Sequence, residues 1–407
     1  MNSKSFIDQF DIAETAAIGV LEGKVRRGRE QPAAHDSITS VDLRSLADIE
    51  AEWRALYKRA NSFAQTFEYA RAALAVAEQQ GKQSFVVTVR DGDALRGVWG
   101  LTLERESLHS VLKPFSCGTN EEYSSPLLED PALAGRVFRQ AASLRGKADR
   151  LMIYNMCADT IVERAATALP FPQRADRLDG LIIRASKHAT WADAEKRLSG
   201  KMRSSLRTSA RRLEQLGELS IGWCDSDVDD VLAFFFRRKT EWLKEKGKRS
   251  NWVARNDVHV PEFFHELVRS TDNPVVAAVR LDGVPIAAAL CLVGPRAVEY
   301  HATTFDPKYA SCGPAQLLVR FLAQWALDRG LDFDFGMTVY DYKRKWTEDT
   351  RTYVTRRVML TARGRIPQPR EIERSVRVNL GKVRRRFLSS SRSSDSHRER
   401  ANRAKRT

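Results

Sequence analysis

The fold is decided by one stretch, Ala297–Trp346, which reads AVEYHATTFDPKYASCGPAQLLVRFLAQWALDRGLDFDFGMTVYDYKRKW. Its β-branched and aromatic start predicts a strand at Ala297–Thr303. Apolar residues at helical spacing predict a helix at Pro314–Arg329, and a second short apolar run predicts a strand at Leu331–Phe335. The stretch therefore reads as strand, small-residue loop, helix and strand.

A similar order of elements occurs twice along the chain. In the first unit helical patterns precede three strand-like runs, Ser84–Arg90, Arg96–Leu103 and Leu108–Phe115. In the second, a hairpin is predicted around Asp282-Gly283, because Asp-Gly supplies the positive φ that a tight turn needs. We expect an α/β (α+β) fold of two tandem domains, each with a mixed, largely antiparallel sheet flanked by helices. The predicted divisions are a poorly ordered leader (1–37), an N-terminal domain that is degenerate or binds the acceptor (38–188), a catalytic domain (189–365) and a basic, disordered tail (366–407).

Composition limits the function classes. The net charge of +15 is concentrated at the end of the chain, where Arg377–Thr407 carries +9 and many serines. Such a segment is expected to be a solvated tail, and contact with anionic lipid or nucleic acid is the open alternative. The five cysteines are scattered and form no C-x-x-C pair, which argues against a disulfide framework and a zinc site. The seven histidines show no paired spacing along the sequence, which argues against any metal site. The chain has no apolar run long enough to span a membrane and no signal peptide, so we expect a cytoplasmic protein.

Several common catalytic motifs are missing from the sequence. It contains no phosphate-binding G-x-x-x-x-G-K-[ST] loop, no dinucleotide G-x-G-x-x-G at a helix start, no H-E-x-x-H and no G-x-S-x-G. Kinase, dehydrogenase, metalloprotease and serine hydrolase activities are therefore disfavoured.

Two features suggest anion binding. Gly313-Pro314 opens a helix directly after a small-residue loop, an arrangement that presents backbone N–H groups and the positive end of a helix dipole to a diphosphate. The alternative is an ordinary helix start with proline in the first turn. Upstream, a long basic helix is predicted at Trp191–Leu216, where three arginines recur every four residues and could recognise an anionic substrate or remain solvated: Arg203, Arg207 and Arg211.

Three blocks together resemble the GNAT acyltransferase fold, in the duplicated form known from BioF2-like or cellulose-biosynthesis-associated acetyltransferases, and the related Fem-type aminoacyl transferases. They are the basic helix Lys201–Leu213, the meander Val276–Leu290, and the segment from Ser311-Cys-Gly-Pro314 through Phe333-Asp-Phe-Gly336 to Tyr342-Lys-Arg-Lys-Trp346. The resemblance covers most of Trp191–Leu360 and is weak upstream.

The resemblance implies direct acyl transfer from acyl-CoA, with acetyl-CoA as the expected co-substrate. The donor would lie between splayed strands Ala297–Thr303 and Leu331–Phe335. Its diphosphate would rest on the loop before the helix, formed by Ala310, Ser311, Cys312, Gly313, Pro314 and Ala315.

Acyl transfer to an amine requires a general base and a general acid, and several residues near the predicted donor site are candidates for these roles. Glu299 and His301 share one strand face and could act as base, directly or through water, or could face solvent. Asp334 is another base candidate, or only a local cap. Tyr342 and its neighbour Tyr340 occupy positions where related enzymes keep a tyrosine acid.

The motif Tyr-Lys-x-Lys-Trp adds two lysines. By resemblance to Fem-type proteins, Lys343 would contact phosphate or the reacting acyl donor, with Lys345 beside it on the substrate. The alternative for Lys343 is an exposed lysine in a basic turn.

The leading hypothesis is a GNAT-like N-acyltransferase that uses acetyl-CoA to acylate the amine of a small or saccharide-linked acceptor. The resemblance also associates the chain with polysaccharide biosynthesis. Two alternatives remain open: a Fem-like, aminoacyl-tRNA-dependent transferase acting on a cell-envelope precursor, and a non-catalytic anion-binding scaffold. Salt-sensitive nucleic-acid binding without CoA binding would favour the scaffold.

Overall fold

The computed structural model describes residues 18–19, 36–119, 123–188, 190–247 and 259–368. All but three residues of the predicted basic tail and all but four of the leader lie outside these residues. The strands, in chain order, are β1 (Ile18–Gly19), β2 (Ser37–Val41), β3 (Gln83–Asp91), β4 (Ala94–Glu106), β5 (His109–Pro114), β6 (Leu127–Leu128), β7 (Arg150–Cys157), β8 (Gln173–Ile183), β9 (Leu219–Trp223), β10 (Val276–Leu281), β11 (Val284–Val293), β12 (Ala297–Phe305), β13 (Asp332–Met337) and β14 (Thr350–Met359).

Helices cover both faces of the sheet. They are α1 (Leu43–Ala47), α2 (Glu50–Leu56), α3 (Phe67–Gln79), α4 (Ala134–Ala142), α5 (Ile161–Thr167), α6 (Trp191–Arg197), α7 (Gly200–Glu214), α8 (Val228–Glu245), α9 (Val260–Ser270), α10 (Pro314–Leu327) and α11 (Asp341–Arg344). Among the described residues, none of these helices is both long and apolar enough to cross a membrane.

The strands of both units join in one mixed sheet, so the predicted α/β fold class is confirmed. The order is β2-β3-β4-β5-β7-β14-β8-β13-β12-β11-β10-β9, with β6 paired to β4 and β1 to β8. The pairs β5–β7 and β12–β13 are parallel, one in each half, and each follows an antiparallel meander.

The halves exchange strands where they meet. The last strand, β14, lies between β7 and β8, and β8 lies between β14 and β13. A strand from the first half therefore borders the strands of the second. The predicted division at residues 188 and 189 stays a prediction.

Two apolar layers enclose the second half of the sheet. On one face α8 packs against β11 and β12, and α9 packs against α8 and against α3 of the first half. On the other face α7 and α10 pack against β9 to β13. The apolar stripe of α10 is core, as its helical spacing indicates.

The predicted single helix Trp191–Leu216 is wrong: it is two helices, α6 and α7. Leu198 and Ser199 have extended ψ values of 143° and 147°, and the Ser199 hydroxyl accepts a hydrogen bond from the Met202 N–H at 3.1 Å. Serine interrupts the helix because its side chain satisfies the backbone donors of a new helix start.

Candidate active site

A cavity opens where β12 and β13 separate. Their parallel pairing covers Ala297–Glu299 and Asp332–Asp334 and then ends. On its other side β12 pairs with β11 from Val298 to Phe305. The pairing of β13 with β8 at Phe333 and Asp334 is interrupted after Asp334 and resumes at Met337. Gly336 within that irregularity has a φ of +72°, a conformation that glycine adopts at little cost.

The resulting cavity measures about 240 Å³. A β-bulge in β12 at His301 lies just past the last residue that pairs with β13, since Leu290 faces Ala302 and the adjacent Cys291 faces Tyr300. The walls come from both halves of the chain. The lining residues are Thr119, Tyr123, Leu178, Lys239, Glu299, Tyr300, His301, Ala302, Thr303, Phe335, Gly336, Met337, Thr338, Tyr340, Tyr342 and Lys343.

Both base candidates on β12 line this cavity. Glu299 is only 6% exposed, and His301 is half-buried. The His301 Nε2 lies 3.3 Å from the Thr119 hydroxyl and 3.6 Å from the Cys117 thiol. One ring nitrogen of the imidazole is thus oriented by the loop that follows β5.

That loop belongs to the first half of the chain, and a hydrogen bond to α3 fixes its position. The Cys117 N–H donates to the Tyr69 hydroxyl of α3 at 3.2 Å. Farther along, the ring of Tyr123 stacks on Tyr353 of β14 with centroids 4.7 Å apart. Burial and the nearby Asp334 carboxylate raise the pKa of Tyr123. Tyr123 therefore lines the cavity as a neutral phenol.

Lys343 is buried, not an exposed turn residue. Its Nζ donates to the carbonyl oxygens of Phe335 at 2.8 Å and Met337 at 3.0 Å, and it lies 5.2 Å from the centre of the Tyr340 ring. The Tyr340 and Tyr342 rings stack nearly parallel, 6.1 Å apart. The short helix α11 thus fixes a cation and two phenols at the end of β13.

Lys345 lies outside the cavity lining and is exposed. Lys345 follows Lys343 by two residues, a spacing that places the two side chains on opposite sides of a helical turn. Its predicted contact with substrate stays a prediction.

Asp334 lies in the sheet next to the cavity but outside its lining, and it is fully buried. Its carboxylate accepts hydrogen bonds from the Tyr353 hydroxyl at 2.5 Å, the Gly336 N–H at 2.8 Å and the Arg351 guanidinium at 3.4 Å. Burial and the charge of Asp334 raise the pKa of Tyr353, so this phenol stays a donor. The arrangement ties β13 to β14.

The predicted diphosphate loop ends in a left-handed glycine. A 3₁₀ turn spans Pro307–Cys312, and Gly313 (φ +60°) is the N-cap of α10, with Pro314 as the first helical residue. Because glycine has no side chain, no side-chain cap neutralises the positive end of the α10 dipole, which lies next to this loop. Such helix starts bind phosphates.

Helix α7 forms the wall beside this loop, although not through the predicted arginines. The Arg212 guanidinium donates to the Ser311 carbonyl at 3.2 Å, and a Cβ on Gly313 would lie 3.2 Å from the Ser209 hydroxyl. Of the predicted stripe, Arg207 and Arg211 are exposed and Arg203 is partly buried. On a helix these three lie roughly opposite Ser209.

Among the lining residues that sequence reasoning missed are Thr119, Tyr123 and Lys239. Lys239 had a local signal, because it lies one turn from Phe235 and one turn from Leu243 on the buried face of α8. A lysine on an apolar face is unusual and marks a candidate functional site. Thr119 and Tyr123 carry no comparable signal in the sequence.

Comparison with known proteins agrees with this geometry. Residues 200–344 match the family model described as an acetyltransferase (GNAT) domain. No curated protein matches the chain significantly by sequence.

Among solved structures, FemX has a TM-score of 0.54 at 12% identity, over 79% of this chain and 97% of that one. The C-terminal domain of a protein described as a lysylphosphatidylglycerol synthetase from Agrobacterium fabrum has a TM-score of 0.50 at 15% identity, over 76% and 91%. A Bacteroides thetaiotaomicron protein of unknown function has 0.51 at 11%, over 79% and 100%. At these identities the likeness concerns the fold.

Proposed function

We propose that this chain, whose residues 200–344 match the family model of an acetyltransferase (GNAT) domain, is an acyl-CoA-dependent N-acyltransferase. The observation that carries the proposal is the separation of β12 from β13 beyond Glu299 and Asp334, where a cavity opens. The helix that joins these two strands, α10, begins without a side-chain cap. We propose acetyl-CoA as the donor and the amine of a small-molecule or saccharide-linked compound as the acceptor.

The reaction needs three groups that the cavity supplies. An attacking ammonium must lose a proton, and Glu299 or His301 lies in the wall to accept it. The tetrahedral oxyanion needs a positive neighbour, and the Lys343 ammonium is fixed by two carbonyls at the end of β13. The leaving thiolate needs a proton, which a phenol can donate, and Tyr342 is the candidate.

Donor binding is assigned to the start of α10. The diphosphate would take the loop Ala310–Ala315, where the helix dipole is left uncapped. Ser209 and Arg212 of α7 stand on the same side and could add polar contacts. The exposed arginines Arg207 and Arg211 remain candidates for contacts farther along the donor or acceptor.

The test is calorimetric titration of acetyl-CoA into wild type and two glycine variants. Gly313→Glu places a negative side chain where the diphosphate is proposed, and we expect affinity to fall at least about tenfold. Gly330→Glu is the matched control. It also has a left-handed glycine (φ +70°), with open space around its Cβ position, but lies at the other end of α10.

Equal loss of binding in both variants would attribute the effect to backbone strain and contradict the assigned donor site. Absence of binding in wild type would contradict the acyl-CoA proposal. Titration with an aminoacyl-tRNA then tests the Fem-like alternative, which the FemX fold likeness favours. A form truncated after residue 365 shows whether the basic tail contributes to either affinity.

A further inference from the structure

Thr338, which follows β13 and lines the cavity, has an unusual backbone conformation. Its φ is +78°, in the left-handed region where a side chain branched at Cβ crowds the backbone. Among the described residues, four other non-glycine residues have a positive φ, and all are of types common in turns: Ser107, Asn155, Asp159 and Asp282. Of the five, Thr338 alone is β-branched and alone lines the cavity.

Hydrogen bonds to two other elements, β8 and α11, hold Thr338 and the residues before it in place. The Thr338 N–H donates to the Asp179 carbonyl of β8 at 2.9 Å. The carbonyls of Phe335 and Met337 both accept from the Lys343 ammonium of α11, at 2.8 Å and 3.0 Å. A strained conformation persists only where its surroundings over-determine it, and such residues cluster at functional sites.

The threonine side chain is present in spite of this conformational cost. Gly336, two residues earlier, has a similar φ of +72° and meets no such cost, because glycine has no Cβ. Threonine at 338 adds a hydroxyl to a half-buried position in the cavity wall. No other residue in the described part of the chain forms a hydrogen bond with that hydroxyl. The hydroxyl is therefore available to a bound molecule, as donor or acceptor.

The position of Thr338 favours contact with the acceptor over contact with the donor. The gap lies between β12 and β13, and β8 borders β13 on its far side. Thr338 is bonded to β8, and Leu178 of β8 also lines the cavity. The loop proposed for the donor diphosphate, residues 310–315, instead follows β12. Thr338 and the donor loop thus belong to opposite borders of the gap.

The small size of the cavity relates Thr338 to the reacting amine. At about 240 Å³ it is smaller than the roughly 300–1,000 Å³ of typical ligand sites. Glu299 and His301, the candidate bases, line the same space. A substrate atom in contact with Thr338 is therefore only a few bonds from an amine in contact with either base.

We propose that Thr338 is a specificity-determining residue, whose hydroxyl binds an oxygen atom next to the reacting amine of the acceptor. The acceptor class is then an amine with a hydroxyl on the neighbouring carbon, as in a 2-amino alcohol or an amino sugar. Two neutral hydroxyls satisfy each other, since each both donates and accepts, and no charge is buried. The proposal rests on the function proposed above and specifies its acceptor.

The test compares, in an acetyl-CoA assay, acceptors that differ in one group, a hydroxyl in place of a methyl. The pairs are 2-aminoethanol with propylamine, and trans-2-aminocyclohexanol with trans-2-methylcyclohexylamine. The measured quantity is the ratio of kcat/KM for the hydroxyl member to kcat/KM for the methyl member. A neighbouring hydroxyl also makes the amine easier to deprotonate. The diagnostic result is therefore the change in this ratio between wild type and variant, from which amine reactivity cancels.

Thr338→Val removes the hydroxyl and keeps the branched side chain. We expect it to lower the ratio about 3- to 10-fold, the range for one neutral hydrogen bond, through the hydroxyl member alone. Thr338→Ser keeps the hydroxyl and should stay within about twofold of wild type. The KM for acetyl-CoA should also stay within about twofold in both variants.

Thr338→Gly separates the backbone from the side chain. We expect it to raise Tm by about 1–4 °C, because glycine adopts the left-handed conformation easily, and to lower the ratio as Thr338→Val does. Ser107→Gly is the matched control, since Ser107 also has a positive φ (+50°) but lies exposed in the turn between β4 and β5. It should leave the ratio unchanged.

An unchanged ratio in Thr338→Val and Thr338→Gly would overturn the proposal, as would an equal loss for both members of a pair. A change confined to the KM for acetyl-CoA would make Thr338 a donor contact and overturn the acceptor assignment. A lower Tm in Thr338→Gly would show that the threonine is not strained there, which also overturns the proposal. If the protein binds acetyl-CoA but acetylates neither hydroxyl amine, the acceptor class alone is overturned. If it does not bind acetyl-CoA, the proposed function is overturned as well.

Discussion

Replacing Asp334 by asparagine separates a structural role from a catalytic one. The substitution keeps the shape of the side chain and the oxygen that accepts from the Gly336 N–H. It removes the negative charge that the Tyr353 hydroxyl contacts at 2.5 Å and the Arg351 guanidinium at 3.4 Å.

The magnitude follows from these contacts. A hydrogen bond to a buried charged group is worth about 1.5–3 kcal/mol, and Tyr353 provides one of good length. The Arg351 contact is long, and this arginine also pairs with Asp332 at 3.2 Å, so its loss adds little. We expect Asp334→Asn to lower the free energy of unfolding by about 2–3 kcal/mol.

The assay is denaturant unfolding together with steady-state kinetics at a temperature where the variant is folded. Because Asp334 lies outside the cavity lining, kcat should fall less than about fivefold. A double-mutant cycle with Tyr353→Phe should return a coupling energy of about 0.5–3 kcal/mol. Unchanged stability with a kcat reduced 10²-fold or more would refute this reasoning and make Asp334 the general base.

Two further predictions concern the same region. Glu299→Gln should lower kcat about 10²-fold or more while Tm stays near that of wild type, as expected for a base in the cavity wall; a loss confined to KM would contradict that role. Tyr353 is also expected to make stability depend on alkaline pH. Since burial and Asp334 raise its pKa above the ordinary value near 10, its contribution to stability is complete below about pH 10 and is lost as pH rises further, by up to about 1.4 kcal/mol per pH unit. Thermal unfolding from pH 9 to 11 should therefore show a shallower decline in Tyr353→Phe than in wild type, and identical slopes would contradict the pKa assignment.

The amino-acid sequence determined the local elements of this protein. Alternating apolar residues mark β12, the apolar stripe marks α10, and Asp282-Gly283 marks the turn between β10 and β11. Gly313 followed by Pro314 indicates the start of α10, and Gly313 is the residue with the left-handed conformation there. These signals are readable because they depend on residues a few positions apart.

The tertiary structure decided which of these elements form the site. Thr119 reaches His301 across 182 positions of sequence, and β14 enters between β7 and β8 from the far end of the chain. Strand order depends on the combined pairing and packing of the whole sheet, which no local pattern encodes. For the same reason the burial of Lys343 and the presence of Lys239 and Glu299 in the wall of one cavity could not be predicted. The local sequence places charged side chains on helices and strands. Only the pairing of strands from both halves in one sheet brings these side chains to the same cavity.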